Sequence, residues 1–169
     1  MWLNLKDIIE IPGGEAGFET GLDPDRLAFP ALVRFTHGPQ AHGRVVNTAG
    51  VLTLTGELEA RMLCRCDRCG REFELDKTLE LNVPLSADME DEGDDAEVFP
   101  LDGDGIDLDE VLSACFILDT DSKLLCSEDC RGLCPVCGKN LNEGPCLCTK
   151  PVDPRLAVLG QLLDMEKDK

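Results

Sequence analysis

Six of the chain's ten cysteines fall between Cys126 and Cys148, in the stretch CSEDCRGLCPVCGKNLNEGPCLC. No other stretch restricts the fold as much, because sulfurs this close in sequence either pair or share an ion. Cys134-Pro135-Val136-Cys137-Gly138 has the form of a metal knuckle. Two thiolates three residues apart reach one ion when the backbone turns tightly, and Gly138 permits that turn. Cys146 and Cys148 return after a short polar loop, so four sulfurs can close a tetrahedral shell at small loop-entropy cost. Catalytic zinc keeps an open position and usually has histidine or carboxylate ligands. No histidine lies near this stretch, so a closed structural site is expected.

Ten cysteines can also mean disulfides. The start of the chain, Met1-Trp2-Leu3-Asn4-Leu5-Lys6-Asp7, lacks the basic start and apolar run of a secretion signal, and no run is long enough to cross a membrane. The expected location is the cytoplasm, where thiols stay reduced and clustered cysteines serve as ligands. The 169 residues suit one domain, or one domain with an appendage. A hydrophobic fraction of 43% supplies a core, and with only 4% aromatics that core must be aliphatic. The formal charge of −18 repels phosphate and favours basic partners, although an acidic surface also serves solubility alone.

Residues 1–30 suggest a leading strand or short helix and then a loop, and 31–35 a strand. His37 and His42 flank a Gly-Pro pair that reads as a turn, so an exposed loop is expected there rather than a ligand site. From Val51 the pattern is strictly alternating: Leu52, Leu54, Gly56, Leu58, Ala60 and Met62 against Thr53, Thr55, Glu57, Glu59 and Arg61. Phe73, Leu75, Leu79, Leu81 and Val83 resume it after a break. Period two marks half-buried strands. The break, Cys64-Arg65-Cys66-Asp67-Arg68-Cys69-Gly70, puts a second knuckle at the tip of a long antiparallel hairpin. Asn47–Gly50 should turn an earlier strand, 44–47, into the first arm. Residues 88–110 are strongly acidic; a calcium loop fails in register, since Ile106 falls at a ligand position, and a solvated loop with a brief strand at Val98 and Phe99 is expected. Leu108, Val111, Leu112, Cys115 and Leu118 have helical spacing behind an acidic first turn, with Cys115 as a small core residue. Asp153 and Pro154 open a last helix with a leucine stripe, which either docks a partner or packs on its own core.

With Cys115 in a helix and Cys64 still on a strand, eight cysteines remain for two tetrahedral sites. Local closure assigns Cys134, Cys137, Cys146 and Cys148 to one, leaving Cys66, Cys69, Cys126 and Cys130 for the other. The second site would fasten the hairpin tip to the segment after the helix. The rival pairing sets both knuckles, Cys66/Cys69 and Cys134/Cys137, on one ion as in a zinc ribbon. Two zinc ions are expected; iron also accepts four thiolates, but a closed intracellular site favours zinc. A redox reading of the Cys-x-x-Cys pairs needs a helix N-terminus in a βαβ setting, which neither pair has.

These pieces in this order resemble the YceD family, the large ribosomal RNA subunit accumulation proteins. The matching residues are Gly56–Ala60 leading to Cys66-Asp67-Arg68-Cys69, then Ile106-Asp107-Leu108 and its helix, Cys130 to Asn142, Cys146-Leu147-Cys148 and Asp153 to Ala157. The likeness runs over about residues 40–163, and the Cys130–Asn142 string is its most specific part. It implies a non-enzymatic factor for accumulation of large-subunit ribosomal RNA. Family members are often encoded beside a small basic ribosomal protein. Metal binding has been described for the family and nucleic-acid binding suggested, while some relatives lack the second cysteine cluster.

The expected fold is α+β: a mostly antiparallel sheet or partly open barrel with a long hairpin, one or two helices and a C-terminal cysteine-rich zinc segment. Residues 1–125 form the β-rich part, with the knuckle at 64–70 and the acidic loop at 88–106; 126–150 form the zinc segment and 151–169 the last helix. The expected function is a zinc-binding, non-catalytic factor for large-subunit ribosome biogenesis, with a basic ribosomal protein or the pre-ribosome as partner. Arg61, Arg65, Arg68 and Arg71 are the best candidates for an RNA contact, or else they offset nearby thiolate charge. An RNA-binding module and a dithiol redox protein are the alternatives.

Overall fold

The alternating run from Val51 determines the architecture. In the structure, a computed structural model describing residues 1–86 and 98–149, it becomes the central strand of a sheet. The elements are β1 (Trp2–Asn4), α1 (Lys6–Ile9), β2 (Glu15–Gly21), β3 (Leu32–Thr48), β4 (Val51–Arg65), β5 (Glu72–Ser86), β6 (Phe99–Pro100), β7 (Gly105–Asp107) and α2 (Leu108–Leu118). One sheet has the order β2-β3-β4-β5-β6, and β1 pairs with β7 in a second, two-stranded one. All pairings are antiparallel except the short parallel contact of β5 with β6. The fold is thus α+β and mostly antiparallel, and the larger sheet is open rather than closed into a barrel.

The β3–β4 turn follows from its residues. Thr48 pairs with Val51, so Ala49 and Gly50 make a two-residue loop, and both have positive φ, 54° and 94°. Such turns match the right-handed twist of the strands they join. Asn47, 1% exposed, holds the turn from beneath. Its Oδ1 accepts from the Gly50 N–H at 2.8 Å, and its Nδ2 donates to the carbonyls of Ile8 and Ile9 at 2.8 and 2.7 Å. Further along, Gly43 and Gly56 stand opposite each other, and a Cβ on either would run into the other strand's backbone. The inner face of β4 buries Leu52, Leu54, Leu58, Ala60, Met62 and Cys64. Leu81, Val83 and Leu85 of β5 join this core, as do Leu108, Val111, Leu112 and Phe116 of α2. Asp107 caps α2, accepting from the Asp109 N–H at 3.0 Å.

Several expectations are corrected here. The strand expected at 31–35 and the one at 44–47 are a single strand, β3, and Gly38-Pro39 is not a turn. Pro39 has no N–H for the ladder, and the chain absorbs it as an irregularity between His37 and Gln40. His37 and His42 therefore lie on an exposed part of a strand, not in a loop. The segment before residue 30 contains a full edge strand, β2. The brief strand near Val98 is Phe99–Pro100, and Val98 itself is outside it. On α2, Leu118 is 62% exposed and Phe116 takes its place in the apolar stripe, while Cys115 is half-buried against the core as expected. The acidic residues 88–97 and the helix expected within 151–169 lie outside the described residues.

By internal contacts the chain forms two units. Among the described residues, one comprises 1–67, 71–86 and 98–126; the other comprises 68–70 and 127–149. No described helix is long and apolar enough to cross a membrane.

Candidate metal centres

The two Cys-x-x-Cys-Gly segments fold alike. In the first, the Cys66 N–H donates to the Arg71 carbonyl at 2.9 Å and Gly70 has φ +71°. In the second, the Cys134 N–H donates to the Lys139 carbonyl at 2.8 Å and Gly138 also has φ +71°. Each loop closes on the fifth residue after its first cysteine, and each needs a left-handed residue directly after its second. In the second loop the Gly138 N–H also returns to the Cys134 carbonyl at 2.9 Å, and Leu133 bridges to Asn140. This geometry turns two sulfurs to one side of the backbone.

The sulfurs of Cys134, Cys137, Cys146 and Cys148 all lie within 4.8 Å of one another, and so do those of Cys66, Cys69, Cys126 and Cys130. The zinc-ribbon pairing of both knuckles on one ion is not the arrangement found. Four thiolates at about 2.3 Å from zinc stand roughly 3.8 Å apart, so either group can close around an ion with little movement. Each set is all sulfur, the donor chemistry of structural zinc, and each can fill four positions without water. The residues fit the ion.

Electrostatics in the second group supports this fit. The Cys137 backbone N–H, and then that of Val136, which lies 3.4 Å from Sγ, hold the Cys134 thiol down at about 6. Cys148 is pushed up to about 12, first because its thiol hydrogen-bonds to Cys137, then by burial and by the negative charge of Cys137. One sulfur ionises readily and another resists because negative charge is already gathered beside it. A divalent cation removes that conflict by drawing all four to the thiolate form.

Contacts around the first group explain how ligands from distant sequence reach it. Asp67, inside the knuckle, accepts from the Leu124 N–H at 2.6 Å and donates its own N–H to the Leu124 carbonyl at 2.9 Å. This seats the strand end next to the segment that leads to Cys126. Arg68 donates from Nη1 to the Cys130 carbonyl at 3.0 Å. Gly132 has φ +72°, and a Cβ there would press on the Arg68 carbonyl oxygen. Sequence reasoning missed these roles of Asp67 and Arg68. The available signal was two charged residues in the middle of the knuckle, where Cys134 and Cys137 enclose Pro135 and Val136.

The remaining candidates stand apart from the sulfur groups. Cys64 lies on β4, fully buried, and burial pushes its thiol pKa up. His37 and His42 belong to neither group. Of the four arginines, Arg61 pairs with Asp76 and Arg65 with Glu72, its partner across the β4–β5 ladder. Arg68 serves the Cys130 carbonyl, and Arg71 is exposed, with its carbonyl closing the knuckle. Three of the four therefore have partners within the chain.

Comparison with known proteins gives a consistent picture. Residues 54–163 match the family described as "Large ribosomal RNA subunit accumulation protein YceD". Uncharacterized proteins of Mycobacterium bovis and Mycobacterium tuberculosis are 32% identical over 130 residues, covering 74% of this chain. The match covers 62% of the length of those relatives. No solved structure matches the chain.

Proposed function

Because the chain belongs to the YceD family of large ribosomal RNA subunit accumulation proteins, we propose that it is a non-enzymatic zinc-binding factor for large-subunit ribosome biogenesis, acting through a basic ribosomal protein. The family implies a role in accumulation of large-subunit ribosomal RNA. The observation that carries the finer reading is the pair of four-cysteine groups on a strongly acidic chain. All-sulfur shells leave no open position for substrate or activated water, which supports a scaffold over a catalyst. The exposed sheet face supports the choice of partner. Glu19, His42, Glu57 and Glu80 align in register across β2, β3, β4 and β5, with Glu59 beside them. This row repels a phosphate backbone and attracts lysine and arginine.

A role of this kind puts the protein in the cytoplasm with the assembling subunit. The RNA-binding alternative is weaker, because its arginines are engaged with Asp76, Glu72 and the Cys130 carbonyl. The redox alternative is weaker too, since each Cys-x-x-Cys lies in a tight turn rather than at a helix N-terminus. The test has two arms. A pull-down from cells at low salt should recover a basic large-subunit protein, and deletion should lower large-subunit RNA. Recovery of no ribosomal protein, with RNA levels unchanged, would falsify the reading. Retardation of RNA by the purified protein alone would move the function to the arginines.

A further inference from the structure

Asn142 belongs to neither sulfur group, yet it reaches from one toward the other. It lies in the short 3-10 turn Leu141–Glu143, inside the loop that separates Cys137 from Cys146. Its Nδ2 is 3.4 Å from the sulfur of Cys130, a member of the first group. The orientation of the amide is determined by its neighbours. Oδ1 accepts from the Arg131 backbone N–H at 2.8 Å, which only an oxygen can do. Nδ2 must then face the sulfur. Its other hydrogen goes to Asn140 Oδ1 at 2.8 Å, and the same Asn140 oxygen accepts the Asn142 backbone N–H at 3.1 Å. The loop is fastened to the Cys130 segment a second time by the Leu141 N–H, which donates to the Gly132 carbonyl at 2.9 Å. Every polar atom of the Asn142 side chain thus has a partner.

Donors to a metal-bound thiolate orient it and stabilise its charge. We propose that Asn142 is a positioning residue that couples the two centres: it holds the Cys130 thiolate ready for its ion only while the loop between Cys137 and Cys146 is kept in shape by the other ion. Loss of metal from the C-terminal group frees that loop, withdraws the amide from Cys130 and weakens the first centre. This rests on reading both sulfur groups as metal centres, and it adds that they load and empty in a linked way.

The full-length chain is loaded with zinc, and both ions are titrated against a chromophoric chelator, with cobalt(II) thiolate absorption as a second readout. Asn142→Asp keeps the side-chain shape and the acceptor for Arg131 but removes the donor; Asn142→Ala removes both. Each should lower affinity for one of the two ions by about 10–100-fold, with the circular dichroism of the sheet retained. Cys148→Ser, which disables the C-terminal group, should weaken the remaining ion about tenfold when Asn142 is present and have no further effect in either Asn142 variant. Two ions held with unchanged affinity in both variants would overturn the assignment. So would an equal effect of Cys148→Ser with and without Asn142, or loss of the sheet signal in Asn142→Asp. An unmodified chain that takes up no zinc or cobalt overturns the metal reading itself, which separates that failure from the failure of Asn142.

Discussion

The two sulfur groups contain the same knuckle and complete it in different ways. At the C-terminal group the knuckle Cys134/Cys137 is completed by Cys146 and Cys148, close by in sequence. Cys137 is exposed, and Cys146 and Cys148 are half-buried. At the hairpin group the knuckle Cys66/Cys69 is completed by Cys126 and Cys130, which follow β5, β6, β7 and α2. There Cys66, Cys69 and Cys130 are 2%, 7% and 4% exposed. One motif therefore serves two purposes. The local group organises a segment too short and polar to have a core of its own. The remote group draws its ligands from segments that a sheet and a helix separate in sequence. Buried thiolates deprived of their ion cannot turn to water, so the second kind of site has more to lose.

The contrast can be broken most directly at Cys66. Cys66→Ser should leave one zinc ion per chain and cost on the order of 5 kcal/mol, part of the roughly 10–16 kcal/mol that a structural zinc supplies. Urea unfolding with metal analysis reads both, and a variant that keeps two ions and full stability would erase the distinction. Acidification tests the C-terminal group next. The Cys134 thiol, held at about 6, is mostly ionised at neutral pH, whereas Cys148, at about 12, must release its proton when metal binds. Binding that releases protons strengthens as pH rises. Affinity at this group should therefore fall at least about tenfold per pH unit on acidification, and one proton more steeply below about 6 where Cys134 is protonated as well. A chelator titration across pH 5 to 8 checks the slope.

Asn47→Ala is the control within the sheet. It strips the Gly50 N–H and two helix carbonyls of their partner and should cost about 1–3 kcal/mol while both ions stay bound. Loss of zinc in that variant would mean that the turn and the sulfur groups are not separable. Cys148→Ser should remove one ion and, through the tenfold weaker hold on the other, lower the stability of the sheet by only about 1–2 kcal/mol, a much smaller change than Cys66→Ser produces. The smallest effect is expected from replacing Arg61, Arg65 and Arg71 together by alanine. Zinc content should stay at two, since Arg68, whose guanidinium bonds to the Cys130 carbonyl, is left in place and the backbone carbonyl of residue 71 is kept.

Much of this was legible because it is local. Alternation from Leu52 to Met62 specifies a half-buried strand, Asp107 ahead of an apolar stripe specifies a capped helix, and Cys-x-x-Cys-Gly specifies a turn that presents two sulfurs. Each signal is read within a few residues. The reading went astray where a local signal was overridden. Gly38-Pro39 has the composition of a turn, but β4 pairs on both sides of it, and the ladder absorbs it as a bulge. Leu118 has the right spacing for the core, but α2 ends there and Phe116 fills the space. The roles of Asp67, Arg68 and Asn142 were missed, with only the charge of the first two inside the knuckle to hint at them, because those roles consist of meeting backbone or sulfur distant in sequence.

By itself the amino-acid sequence determined the hairpin arms β4 and β5, the capped helix, both knuckles and the family to which the chain belongs, since these depend on residue type at short spacing. Which cysteines complete the hairpin knuckle was a matter for the tertiary structure. That choice depends on where the tip lands after the sheet and helix have packed, through contacts such as Asp67 with Leu124 and Arg68 with Cys130. Spacing could favour the split pairing only by leaving two cysteines over; placing four remote sulfurs within reach of one ion required the folded chain.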